Sequence, residues 1–224
     1  MTAAADERLS FRDMSEAVMR QWAEANPGRV NDRDWRGHTP LIAVAIKLKS
    51  LSLAVWLLDE KGANVNGTTA FGHTPLQCVA SVDILTALLD RGAGPNMAGP
   101  GGMLPLMSQV RFGRVEEVAR LLQDPRVRAT VNVQNRQGST ALHGAYDRRI
   151  TDAAPKAHLL LQASADTSIA NDDGETPLDQ VQGPRRRPHP DRTLTALLER
   201  YPGQEGCREG LGPRQGPPPR RRRQ

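Results

Sequence analysis

Aromatic residues are scarce. Three Trp, two Tyr and three Phe make up 4% of the 224 residues. A repeat protein built on Ala and Leu is one way to manage with so few. Cysteine is nearly absent. Cys78 and Cys207 stand alone, which excludes a disulfide framework and a cysteine zinc site. No long apolar run exists either. The most apolar stretch, LSLAVWLL (51–58), falls far short of the roughly 20 residues that span a bilayer. MTAAADERLS at the start has no basic region followed by an apolar one, so no secretory signal is expected. Catalytic signatures are missing too: there is no GxSxG and no HExxH. The turn around Gly99–Gly102 lacks the Lys-Ser/Thr that phosphate cradling needs. Asp172 and Asp173 are neighbours in one turn and need not face one pocket. These absences lead us to expect a cytoplasmic, non-catalytic protein in a reducing compartment, with no membrane contact, no metal and no cofactor.

Positive charge is present but uneven. Residues 183–192 hold four Arg and one Asp, and residues 202–224 hold six Arg and two Glu. Taken out of the whole-chain charge of +5, these two segments leave the rest at −2. The basic character belongs to one loop and one tail, and is no argument for a basic folded surface.

GHTPL occurs at 37–41 and again at 72–76. Weaker copies follow as GMLPL (102–106), GSTAL (138–142) and GETPL (174–178). Their final leucines lie at 41, 76, 106, 142 and 178, intervals within the range of stacked repeat units. The position three before each Gly holds Asp34, Thr69, Gly99, Asn135 and Asn171. After each Leu comes a short Ala/Val-rich stretch, then a second apolar stretch with paired leucines, then a Gly-Ala-like turn such as KGANVN (61–66) or RGAGPN (91–96). The motif Gly suits a turn with positive φ. Thr before Pro starts a helix, the hydroxyl capping free N–H groups and Pro fitting the first turn. The Gly after LAVWLLDEKG (53–62) and VDILTALLDRG (82–92) supplies a stop. Each unit is turn, short helix, turn, longer helix, turn. None can bury its apolar face alone, so they must stack.

This pattern resembles the ankyrin repeat, D-x-x-G-x-T-P-L-H-x-A-A followed by a second helix and G-A-D-x-N. DWRGHTPLIAVA (34–45), NRQGSTALHGA (135–145) and NDDGETPLDQV (171–181) carry the likeness. It implies an all-α solenoid of stacked helix-turn-helix units with β-turn fingers, over residues 11–201. A half repeat at 12–33 would be followed by repeats at about 34–66, 67–98, 99–132, 133–168 and 169–201. Residues 1–10 are expected to be flexible and the Pro/Arg-rich tail 202–224 disordered. His143 matches the family's structural His, which ties the turn to the next repeat.

The departures are specific. CVASVDIL runs the helices of the second repeat nearly together, and YDRRITDAAPK (146–156) lengthens the link in the fourth. GPGGMLPL lacks the Asp and Thr, so the third finger is expected to be loose and its interface weak. GPRRRPHP (183–190) interrupts the fifth repeat with prolines that forbid helix.

In such an array a concave face of finger tips and first helices binds partners. The tips are Trp35–Arg36, Ala70–Phe71, Pro100–Gly101, Arg136–Gln137 and Asp172–Asp173. Trp35 and Phe71 would form an apolar patch if exposed, and aromatics and Arg are the usual interface anchors. They would merely cover the turns if folded down. We take Trp35, Arg36, His38, Phe71, His73, Arg136 and Gln137 as the candidate partner-binding set. His38 and His73 sit at equivalent places on neighbouring repeats. Stacked helices lie roughly 8–10 Å apart, too far for both to reach within about 2.1 Å of one zinc. Cys78 falls where a small buried residue is expected. The expected role is that of a monomeric, non-catalytic scaffold or adaptor for a protein partner. The alternative is a nuclear or nucleic-acid-associated protein using Arg185, Arg186, Arg187 and Arg220, Arg221, Arg222, Arg223 as import signals or phosphate contacts. No aromatic interleaves with these arginines, so base stacking lacks support.

Overall fold

The computed structural model describes residues 9–145, 150, 152–182, 193, 196–197 and 200. All regular structure among them is helical. The N-terminal helix α1 (Glu16–Ala25) is followed by α2 (Pro40–Ala43) with α3 (Leu51–Asp59), α4 (Pro75–Cys78) with α5 (Val82–Asp90), and α6 (Pro105–Phe112) with α7 (Val115–Leu122). Then come the short α8 (Pro125–Arg128), α9 (Ala141–Gly144), α10 (Ala153–Gln162) and α11 (Pro177–Gln182).

Local chemistry sets the starts. Thr39 and Thr74 accept from the N–H groups of Ile42 and Gln77, each with Pro at the first helical position. Ser15, Ser50 and Ser81 cap α1, α3 and α5 in the same way. In the first repeat α2 runs on into a π-helical stretch, Val44–Leu48, which ends at Lys49 in the left-handed region (φ 53°).

The units stack in two layers. The turn Phe11–Asp13, then α2, α4, α6, α9 and α11, meet in succession on one side, and α3, α5, α7 and α10 on the other. Helix α1 joins the second layer, where Glu16 accepts from Ser52 and Arg20 lies 5.0 Å over the Trp56 ring. One core of Ala, Leu and Val runs the length of the stack, with Phe11 and Met19 closing its N-terminal end. Leu53, Leu57, Ile84, Leu85, Leu88 and Leu121 are fully buried, so cutting any to Ala should cost about 2–5 kcal/mol. Leu9 and Ser10, which the sequence groups with the flexible start, also pack: Leu9 O accepts from Trp35 N, and Ser10 is buried.

The fingers are hydrogen-bonded turns. Asp34, Asn135 and Asn171 each accept two backbone N–H groups across their turn, and Thr69 accepts one. Gly37 is left-handed (φ +76°), and a Cβ there would overlap that of Ala70. Successive fingers are joined through the main chain: Ala70 N donates to Gly37 O, Arg136 N to Gly101 O, and Asp172 N to Gln137 O. At the opposite edge asparagines stitch each repeat to the next. Asn31 bonds Gly62 and Asn64, Asn66 bonds Gly92 and Gly94, Asn96 bonds Arg126 and Thr130, and Asn132 bonds Ser164 and Asp166.

The third finger is not loose. Gly99 N donates to Met103 O, as Asp34 N does to His38 O, so the same turn forms without the acidic residue. What changes is its tie to the second finger. Pro100 occupies the place of Ala70 and Arg136 and has no N–H to donate. Gln77 takes over: its Oε1 accepts from Thr74 N (2.9 Å) and its Nε2 donates to Met103 O (2.6 Å). A Cβ on Gly99 would overlap the Gln77 amide. Loss of the motif Asp and arrival of Gln77 are therefore one arrangement. A second inter-repeat clasp is Lys156, buried at 2% exposure, whose Nζ donates to Val110 O and Gly113 O beyond the end of α6. Desolvation lowers its pKa against the opposing pull of Asp152, Glu117 and Glu116.

Candidate partner-binding face

The finger ladder fixes where the tip residues stand. Fingers 1 and 2 are tied by the Ala70–Gly37 bond, so Trp35 and Phe71 emerge from neighbouring turns. Both are exposed, Trp35 at 61% and Phe71 at 76%. Neither folds down to cover its turn. The Arg36 guanidinium lies 4.8 Å over the Trp35 ring and reaches Asp13 at 3.5 Å, a residue that Lys47 also approaches. Arg136 and Gln137 are exposed on the fourth finger, and no ion pair of Arg136 occurs among the described residues.

The two motif histidines lie deeper than the tips. His38 and His73 are half-buried and close their turns through the backbone, donating to Asp34 and Thr69. The His38 ring sits 3.7 Å from the Asp34 carboxylate, and burial pushes its pKa down against that attraction. His143 is a tie. Its Nδ1 sits 3.1 Å from Thr140 N and its Nε2 3.1 Å from Glu175 O of the next finger. Gln77 occupies the same place in its repeat and makes the same bridge. The signal was legible as the third residue after the motif Thr. Among the described residues no group of three or more His, Cys, Asp and Glu is placed to hold a metal ion. Cys78 is half-buried at the end of α4, and burial pushes its thiol up to about 11, which leaves it a poor nucleophile.

Sequence reasoning missed Phe112. It is the last residue of α6, 76% exposed, with Arg111 5.4 Å over its ring. No repeat motif flags that position. Arg185, Arg186, Arg187 and Arg220, Arg221, Arg222, Arg223 lie outside the described residues.

The architecture can be set beside known proteins. The family described as Ankyrin repeat matches residues 36–70, the span from the tip of finger 1 to that of finger 2. EF0377, a solved ankyrin repeat protein, superposes with a TM-score of 0.68 at 24% identity, over 85% of this chain and 93% of that one. The fold is an ankyrin-repeat array. A chain in the solved complex of the predatory endopeptidase Bd0816 from Bdellovibrio bacteriovorus with the immunity protein Bd3460 is also similar. It has a TM-score of 0.64 and 24% identity, covering 88% of this chain and 95% of that one. No curated protein matches the sequence. Ankyrin repeats generally mediate protein–protein interaction, and the second of these structures is itself a complex of two proteins. No helix among the described residues is long and apolar enough to cross a membrane.

Proposed function

We propose that this ankyrin array is a monomeric, non-catalytic adaptor in the cytoplasm that holds a protein partner on the tips of its fingers. The observation that carries this reading is the exposure of Trp35 and Phe71 on two hydrogen-bonded turns. A monomer that leaves large aromatics exposed on hydrogen-bonded turns gains little in folding from them. Against a partner they bury area at little cost in side-chain entropy. Arg36 and Arg136 flank them as polar anchors, and Gln137 extends the contact. His38 and His73 contribute through the shape of the turns.

The test is capture from lysate, with the captured proteins identified by mass spectrometry. Three forms are compared: the intact chain, the Trp35→Ala/Phe71→Ala variant and a chain ending at Gly203. A protein held by the first and third but lost from the second by at least about tenfold supports the finger-tip reading. Capture lost only on truncation transfers the function to the arginine tail and its nuclear or nucleic-acid partners.

A further inference from the structure

The third finger differs from its neighbours in what it leaves empty. Its tip is Pro100–Gly101, followed by Gly102. A Cβ on Gly101 would meet nothing within 4 Å, so the tip is open. On one side, Gly72 beside Phe71 approaches the Pro100 ring, whose atoms lie 3.9–4.0 Å from where a Cβ on Gly72 would stand. On the other, the Arg136 stem packs against Gly102, its Cγ 3.4 Å from the corresponding point, while Arg136 N donates to Gly101 O. Past the Pro100 ring, finger 3 thus forms a saddle of bare backbone between the finger bearing Phe71 and the one bearing Arg136.

The charge along the tips changes sign in one step. Across fingers 1 to 4 the only acidic residue is Asp34, whose carboxylate is fully buried in closing its turn. Arg36 and Arg136 are the charged tip residues there; Arg36 is shared with Asp13 at 3.5 Å, which Lys47 also approaches, whereas Arg136 has no ion pair among the described residues. Finger 5 carries the exposed Asp172 and Asp173. Tethered to finger 4 by the Asp172–Gln137 bond, these carboxylates repel an acidic ligand that runs past Arg136.

We infer that the saddle on finger 3 seats a bulky apolar side chain of an extended acidic segment in the partner, with carboxylates on Arg136 and Arg36 and the acidic stretch ending before finger 5. This rests on the finger-tip reading and adds the partner's chemistry and register. Phe71 and Pro100 supply the apolar wall, the bare Gly101 backbone allows close approach, and like charge at finger 5 opposes any register that carries the acidic stretch past Arg136.

The experiment selects random 12-residue peptides, displayed on phage, against the full chain. Selected peptides are then synthesised and titrated against four forms: the parent, Arg136→Glu, Phe71→Ala and Trp35→Ala/Phe71→Ala. Helix content measured by circular dichroism checks that each variant is folded. Selected peptides should combine Asp or Glu with one central aromatic or large aliphatic residue. Their affinity should fall at least about tenfold in Arg136→Glu and in Phe71→Ala, and should weaken as salt rises. Peptides without acidic bias that still need Trp35 and Phe71 would overturn the acidic-segment inference while leaving the finger tips as the binding face. Peptides indifferent to every variant, or no enrichment at all, would overturn both.

Discussion

Removing the amide of Gln77 should weaken the array at one place. In Gln77→Ala, Thr74 N loses its acceptor at 2.9 Å and Met103 O loses a donor at 2.6 Å. A buried polar group left unpaired costs about 1–3 kcal/mol. Thr74 is 2% exposed and takes that cost, whereas Met103 O is half-buried and keeps the Gly99 N–H as a partner. The total is about 1–3 kcal/mol. The lost cap loosens the start of α4, and the lost Met103 bond crosses the boundary between repeats 2 and 3, where Pro100 has already removed the main-chain finger bond. In a stack coupled only through neighbours, a weakened boundary lets the two sides unfold apart. The protein supplies its own probes. Trp22, Trp35 and Trp56 all precede that boundary, so tryptophan fluorescence reports the N-terminal side while far-ultraviolet circular dichroism reports every helix. In urea the two signals should coincide for the parent and separate for Gln77→Ala. Gln77→His should behave nearly as the parent, because His143 makes the same bridge in the fourth repeat. The reasoning fails if Gln77→Ala unfolds with coincident signals within about 0.5 kcal/mol of the parent, the range of a neutral surface change, or if Gln77→His is as damaging as Gln77→Ala.

Two further outcomes are expected. Burial lowers the pKa of His143 below its usual 6.5, with the Glu175 carbonyl partly opposing. The unfolded chain therefore takes up more protons than the folded one, so stability is full above about pH 6.5 and is lost as pH falls below it. His143→Gln should keep the bridge and flatten that slope in urea titrations at about pH 7 and pH 5, leaving the parts due to His38 and to carboxylates such as Glu16. An unchanged slope would show that His143 is not its source. Gly37 and Gly62 are both left-handed, at φ +76° and +68°, but a Cβ at Gly62 meets nothing within 4 Å whereas one at Gly37 overlaps Ala70. Gly62→Ala should cost about 1–2 kcal/mol for the backbone conformation alone. Gly37→Ala should cost more, by the amount of the finger-to-finger clash, and equal losses in thermal unfolding would refute that contact.

The fold was legible because its grammar is local and repeated. Gly at a left-handed turn, Thr capping, Pro at the first helical position and a second leucine-rich stretch are read one repeat at a time. Their recurrence at 41, 76, 106, 142 and 178 leaves stacking as the only way to bury the apolar faces. The boundary-specific chemistry was not legible, because it pairs residues that no local pattern links. Gly99 and Pro100 read in sequence as a defect in a finger, whereas Gln77, 26 residues away from Met103, links Thr74 N to Met103 O there. The π-helical stretch at Val44–Leu48 depends on how Lys49 ends it, and the exposure of Phe112 on how α6 meets its neighbours. The candidate tips could be named from the motif. Whether Trp35 and Phe71 lay down or stood out required the finger ladder.

The asparagine edge has a consequence for how such a chain can be lengthened or shortened. Asn31, Asn66, Asn96 and Asn132 each offer an amide to the following exit turn, so each junction presents nearly the same plug and socket. A duplicated unit placed there would find its partner groups already in place, so the hydrogen bonds of that edge do not oppose adding or removing a repeat. The junction between repeats 2 and 3 is keyed differently. Gln77 belongs to one unit, while Gly99 and Pro100 belong to the next. A recombination event separating them leaves Pro100 without its bridge, or Gln77 crowded by a finger that carries a side chain. An exchange that moves the second and third repeats together keeps this bridge, just as one that moves the third and fourth together keeps the Lys156 clasp.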